Sequence, residues 1–215
     1  MNRETRSSFL NTVGLVQGSL FLVAVALGLA FGVKPWLTLS FTPAELGLSL
    51  LGVLPMFMMF YASGSLNDLV VRMFGRSLDS LTVLDIALVA LLVGVGEELL
   101  FRGVLERLLG RESAMVGLVL ANLAFAACHA VNRTYFVTTF FVGCYLSALM
   151  SAADRDNLLR PIIAHTVYDF VAFLMIRREW RRRTGISEEQ LADEHPTVPD
   201  PTVSNPTVAD AAALP

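Results

Sequence analysis

Long apolar stretches separated by short polar connectors dominate the pattern of this 215-residue chain. A helix needs roughly 20 apolar residues to cross the hydrocarbon core of a bilayer. Six stretches of suitable length run over Phe9–Val33, Ala44–Ala62, Leu81–Leu100, Ser113–Ala130, Thr134–Ala152 and Leu158–Ile176. The pattern therefore predicts an all-α fold, a polytopic membrane helical bundle with about six transmembrane helices.

Composition and charge support a membrane location. Apolar residues make up 54% of the chain and charged residues 16%, with a mean hydropathy of +0.60, whereas a soluble domain carries about a quarter charged residues. With six spans, the termini and even-numbered connectors hold ten basic residues and the odd-numbered connectors five. Arg102 is not counted, because it is one of the ionisable residues in or at the edge of the spans. The positive-inside rule then places both termini in the cytoplasm, most simply at the cell membrane. Cys128 and Cys144 fall inside spans and predict no disulfide framework.

The chain divides into two parts. Residues 1–176 form the predicted membrane-embedded domain, and residues 177–215 follow it. The second part begins with the basic run Arg177–Arg183, which suits an interface with anionic lipid. Beyond Gly185 the chain becomes acidic and proline-rich, a composition that cannot bury enough apolar surface to fold. We therefore predict a disordered tail without a catalytic role.

Six ionisable side chains interrupt the apolar pattern of spans three, four and six. They are Glu97, Glu98, Arg102, His129, His165 and Asp169. Each costs about 2.5–3.5 kcal/mol near the centre of a membrane helix, so such residues usually mark functional sites. Each motif also has a purely structural interpretation. Glu98 and Arg102 could form a salt bridge at a helix end, and His129 could lie at the membrane interface. His165 and Asp169 could form an ion pair with each other and have no further role. The occurrence of all six residues on three helices of one chain favours a shared site.

The spacing of these residues predicts which of them can meet. Glu98 and Arg102 are four residues apart and share one helix face, while Glu97 is turned by about 100° from Glu98. His165 and Asp169 share a face in the same way. Three glycines should let neighbouring helices approach the third span closely. They are Gly94, Gly96 and Gly103.

The depths of the site residues add one more expectation. Simple alternation of six spans would leave Glu97 and His129 about 10 Å apart along the membrane normal. A third span that continues through Leu109 would close much of this gap. We therefore expect a long, tilted third span.

Three ordered motifs resemble those of a known family. Glu97 to Arg102, EELLFR, matches EExxxR; Phe125 to His129, FAACH, matches FxxxH; and His165 to Asp169, HTVYD, matches HxxxN/D. Their order and separations are similar to those of the CPBP family, often called Abi, which includes the CAAX prenyl endopeptidases. The resemblance covers residues 81–176 and implies peptide-bond hydrolysis inside the membrane.

The resemblance also implies roles for the six residues. Glu97 would be the general base that activates water, with His129 helping to hold that water. Glu98 and Arg102 would form a supporting pair, and His165 would face the oxyanion. The family often has Asn where this chain has Asp169. An ionised Asp only accepts hydrogen bonds, so Asp169 would either orient His165 or be protonated.

Several alternatives remain open at this stage. A zinc version of the site would use Glu97, His129 and His165, although the HExxH pattern is absent and we favour a site without a cofactor. A proton-coupled transporter or an immunity protein with a decayed site are rival classes. The expected partners are the bilayer and a peptide or membrane-protein substrate, with or without a lipid group. No nucleic-acid partner is expected.

Overall fold

The structure, a computed structural model, describes residues 3–62 and 64–185, and all regular structure within these residues is helical. The helices are α1 (Arg3–Phe31), α2 (Pro43–Leu51), α3 (Val53–Ala62), α4 (Gly64–Asp79), α5 (Val83–Glu98), α6 (Glu106–Leu109), α7 (Ala114–Cys128), α8 (Arg133–Met150) and α9 (Leu159–Thr184). A 3₁₀ turn (Pro35–Thr38) follows α1, and a π-helical segment (Leu99–Leu105) joins α5 to α6 without a break. The predicted all-helical fold is confirmed.

Within the described residues, two helices are long and apolar enough to cross a membrane, Thr5–Phe31 and Leu159–Thr184. On α1, the side chains of Leu15, Leu22 and Leu29 recur every seven residues and are each about two-thirds or more exposed, at 73%, 67% and 68%. Such an apolar outer stripe suits contact with lipid. The number of spans remains a prediction.

The second predicted span, Ala44–Ala62, is not one uninterrupted helix. It divides into α2 and α3 at Gly52. The cause is Pro55, which has no N–H to donate to the carbonyl of Leu51 and whose ring crowds that carbonyl. At this break, the carbonyl of Gly52 accepts a hydrogen bond of 2.8 Å from the Tyr145 hydroxyl.

The connector between the second and third predicted spans forms α4, a full helix of 16 residues. Its apolar face packs on α9, where Val70, Val71 and Leu78 are buried. Its polar face forms ion pairs with the basic end of α9, including Asp79 with Arg181 at 2.5 Å. The predicted interfacial run 177–183 is therefore part of α9, whereas the predicted tail from residue 186 onward lies outside the described residues.

The third span continues beyond its predicted end. The chain stays helical from Val83 to Leu109 through α5, the π segment and α6, as the expected long third span requires. α1 packs beside both α5 and the π segment, and α9 packs against α5. These contacts place α5 and α9 in the middle of the bundle, with α1 packed on the side of α5.

Arg160 is a further buried charge in the bundle. It is the second residue of α9, is 1% exposed, and pairs with Glu45 on α2. Its Nη1 also donates to the carbonyl of Met150 at 2.7 Å. A buried charge requires partners, and Arg160 finds them on α2 and at the end of α8. Arg160 therefore links these two helices to α9.

Candidate active site

All six ionisable residues singled out in the sequence come together in the bundle. The α5–π segment supplies Glu97, Glu98 and Arg102, the end of α7 supplies His129, and α9 supplies His165 and Asp169. α5 and α9 meet closely at Gly94. A Cβ there would lie 3.0 Å from the backbone nitrogen of Thr166, so only a glycine lets the two helices approach this far. This contact lies one turn from Glu98.

Glu98 is the buried centre of the cluster. Its Oε1 accepts hydrogen bonds from Nη1 of Arg102 at 2.9 Å and from Nδ1 of His165 at 2.8 Å. Glu98 and Arg102 are both 0% exposed. The hydrogen bonds from the Arg102 guanidinium and the His165 ring to this one oxygen offset the cost of burying the carboxylate. The predicted Glu98–Arg102 pair is present, and the direct contact from Glu98 to His165 was not predicted.

A second layer fixes Arg102. Its Nη2 donates to Oδ1 of Asn122 at 3.1 Å, and its guanidinium carbon lies 4.2 Å from the centre of the Phe125 ring, a cation–π contact. Asn122 in turn donates to Oγ of Ser147 at 3.0 Å. A Cβ at Gly143 would lie 2.4 Å from Oδ1 of Asn122, so the packing leaves this network little freedom.

Glu97 points away from Glu98 and toward His129, as its turned position on the helix predicts. Its Oε2 lies 3.8 Å from Nε2 of His129. Nδ1 of His129 is 2.8 Å from the carbonyl oxygen of Phe125. Because a carbonyl only accepts, Nδ1 carries the proton of the neutral ring and Nε2 turns its lone pair toward Glu97.

His165 sits between two carboxylates. Its Nδ1 faces Glu98 at 2.8 Å, and its Nε2 lies 3.5 Å from Oδ2 of Asp169. The second separation is too long for a firm hydrogen bond. The predicted His165–Asp169 pair is therefore the looser contact, and Glu98 is the partner that sets the orientation of the imidazole.

A cavity of about 420 Å³ opens beside these residues. Glu97, His129, His165 and Asp169 line it, whereas Glu98 and Arg102 do not. Its other walls are mainly apolar side chains of α1, α4, α5, α8 and α9. The six residues thus divide into four that face the cavity and a buried pair that supports them.

The alternative zinc set is Glu97, His129 and His165. Among the described residues, no group of three or more His, Cys, Asp or Glu side chains is arranged to hold a metal ion. Both ring nitrogens of His165 face carboxylates. Metal dependence stays a prediction, and the chelator experiment below tests it.

Two further cavity residues escaped the sequence analysis. Gln17 of α1 donates from Nε2 to Oε1 of Glu97 at 3.1 Å. The ring of Tyr135 meets the His129 ring edge-on, with centroids 6.3 Å apart. A polar residue inside the apolar first span was the available signal for Gln17, whereas a tyrosine in a membrane helix carries no such signal.

The described part of the chain is an all-helical body with a cavity lined by carboxylates and imidazoles. Residues 79–171 match the family model described as type II CAAX prenyl endopeptidase Rce1-like. This match confirms the resemblance that the three motifs predicted. The family comprises integral membrane endopeptidases that act on peptide or protein substrates at membranes. No curated protein and no solved structure matches the chain.

Proposed function

We propose that this chain hydrolyses peptide bonds in the membrane with a water molecule activated by Glu97. The observation that supports this most is the pair Glu97 and His129, two residues that line the cavity and whose facing atoms, Oε2 and Nε2, are 3.8 Å apart. Among the described residues, no group donates a hydrogen bond to Oε2 of Glu97. Oε2 and Nε2 of neutral His129 are both acceptors, and a water molecule can donate one O–H to each.

The reaction then follows general acid–base chemistry. Glu97 takes a proton from the water while the water oxygen bonds to the carbonyl carbon of the substrate. The carbonyl oxygen then becomes an oxyanion. Glu97 next passes this proton to the amide nitrogen, and the C–N bond breaks to leave a carboxylic acid and an amine. No covalent enzyme intermediate forms.

The oxyanion requires a donor, and His165 is the best placed candidate in its imidazolium form, in which Nδ1–H donates to Glu98 and Nε2 carries the second proton. Its Nε2 is held only loosely by Asp169, at 3.5 Å, and His165 lines the cavity. Glu98 fixes the other nitrogen at 2.8 Å. A donor oriented in advance in this way costs little reorganisation when charge develops on the substrate. Asp169 then lies beside Nε2 as a loose acceptor, at 3.5 Å, and is not itself the donor.

The cavity also indicates the kind of substrate. Its walls are largely apolar, with side chains such as Phe9, Val70 and Phe173. Such walls suit an apolar or lipid-bearing peptide that reaches the site from the membrane. Because the matching family is described as CAAX prenyl endopeptidases, we propose a prenylated C-terminal peptide as the substrate class.

The first test compares purified wild type with Glu97→Ala in detergent, using matched peptides with and without a prenyl group. Loss of the base should lower cleavage by about 10²–10⁴-fold. Glu112→Ala is the matched control, because it removes an exposed carboxylate from the α6–α7 connector. Cleavage by Glu97→Ala at the wild-type rate would refute the mechanism.

A second test separates this mechanism from a metallopeptidase. Wild type and Asp169→Asn are assayed with and without a chelator, and their metal content is measured. We expect chelator-resistant cleavage by both proteins, because Glu98 still orients His165 and the amide oxygen at position 169 can still accept from its Nε2. Chelator-sensitive cleavage that zinc restores, and that Asp169→Asn loses, would instead establish a metal-dependent enzyme.

A further inference from the structure

Gln17 lies in the apolar first helix, outside the residues 79–171 that match the family. It is 7% exposed and lines the cavity beside Glu97. A buried amide in a membrane helix is costly unless it has partners. Its Nε2 donates to Oε1 of Glu97 at 3.1 Å, the only hydrogen bond to this carboxylate within the described residues.

Two features set the position of Gln17. At the start of the helices, Arg6 of α1 binds both carboxylate oxygens of Asp85 of α5, at 2.8 and 2.7 Å. Gln17 lies eleven residues beyond Arg6, and Glu97 twelve residues beyond Asp85. The two helices are therefore parallel neighbours in matching register, with one polar contact at each end of the shared stretch.

Close packing completes the arrangement. A Cβ at Gly96 would lie 2.9 Å from Oε1 of Gln17 and 3.3 Å from its backbone oxygen. α1 and α5 can therefore approach this closely only because residue 96 is a glycine. The short distance between the helices brings the Gln17 amide within reach of Glu97.

We propose that Gln17 is a positioning residue, which holds Oε1 of Glu97 so that Oε2 faces His129 and the cavity. This inference rests on the proposed function. A glutamate side chain has several rotamers, and without the amide its carboxylate could turn away from His129. α1 thereby belongs to the active site.

The kinetic test uses Gln17→Met, which keeps the size of the side chain and removes the donor. Hydrogen bonds to charged groups support an expected fall in kcat of about 10- to 100-fold, with KM changed less than about twofold. Gln17→Asn keeps the amide but shortens its reach, so it should show the same loss. Asn11→Leu, at an exposed amide on the same helix, should match the wild type.

Two kinetic outcomes would overturn the proposal. Unchanged kcat in both Gln17 variants would make the hydrogen bond merely structural. A raised KM at unchanged kcat would make Gln17 a substrate-binding residue instead.

A chemical readout keeps the inference testable even if the wild type cleaves no peptide. Dicyclohexylcarbodiimide modifies protonated carboxyl groups in apolar surroundings, and mass spectrometry locates the adduct. Gln17→Met should speed the modification of Glu97, because its carboxylate loses the amide that holds it and turns more freely toward the reagent, while Glu97→Gln should abolish that signal. Equal modification rates in wild type and Gln17→Met would refute the positioning role, whereas an inactive wild type with a faster-reacting variant would refute only the proposed peptidase.

Discussion

Gly94→Ala should disturb the active site by pushing two helices apart. The added Cβ would lie 2.3 Å from Oγ1 of Thr166, 3.0 Å from its backbone nitrogen and 3.2 Å from the carbonyl oxygen of Ile162. Rotation of the threonine can relieve the first contact. The other two involve the backbone of α9, so α5 and α9 must separate by a few tenths of an ångström. Glu98 lies one turn away, and its 2.8 Å hydrogen bond to His165 crosses this same interface.

The expected magnitude combines two opposing effects. Overpacking costs about 1–3 kcal/mol, while alanine is favoured over glycine in a helix by about 0.8–1.0 kcal/mol. The net loss of stability should be on the order of 1 kcal/mol. Activity should fall several-fold while the protein stays folded, because a misplacement of about 1 Å in a catalytic group can cost 10²-fold and the expected shift is a few tenths of an ångström. Cleavage should therefore be lost more strongly than folding.

Thermal unfolding in detergent and peptide cleavage measure the two effects on one preparation. Gly14→Ala is the matched control, since a Cβ at Gly14 meets nothing within 4 Å. It should be at least as stable as the wild type and equally active. If Gly94→Ala were as stable and as active as Gly14→Ala, the close α5–α9 contact would not hold the site together.

Two further predictions concern the supporting pair and the tail. Arg102→Met should destabilise the fold by about 3–5 kcal/mol, since it leaves buried Glu98 without its guanidinium partner. Thermal unfolding measures this loss, and it should show a far smaller effect for Arg107→Met, because the side chains of Arg107 and its partner Asp156 are 29% and 46% exposed. Truncation after Arg183 should leave peptide cleavage unchanged because it removes the proline-rich segment, and loss of cleavage with intact helices would contradict this prediction.

The sequence predicted the contacts that lie within one helix. Glu98 and Arg102, four residues apart, do share a face and pair, and Glu97 does point elsewhere. These relations follow from helical periodicity alone. The close approach at Gly94 and Gly96 was also predicted, but the sequence could not say which helix approaches each glycine.

Contacts between distant helices could not be derived in this way. The hydrogen bond from His165 to Glu98 joins residues 67 apart, and its formation depends on the relative register of α5 and α9. The contact from Gln17 to Glu97 joins residues 80 apart. Periodicity places a side chain on a face of its own helix but does not identify the neighbour of that face. The break at Gly52, by contrast, had a local signal in Pro55 that the hydropathy pattern masked.

The charge balance of the site supports acid–base chemistry on physical grounds. Its three carboxylates face one guanidinium and two imidazoles, and all are buried or partly buried in the bundle. If both imidazoles were neutral and all carboxylates ionised, the cluster would carry a net charge of about −2, which an apolar interior disfavours strongly. Protons must therefore reside on its imidazoles or carboxyl groups to bring the charge toward zero. Because Glu98 is sealed by Arg102 and His165, the groups that face the cavity are the ones placed to exchange protons with a bound water.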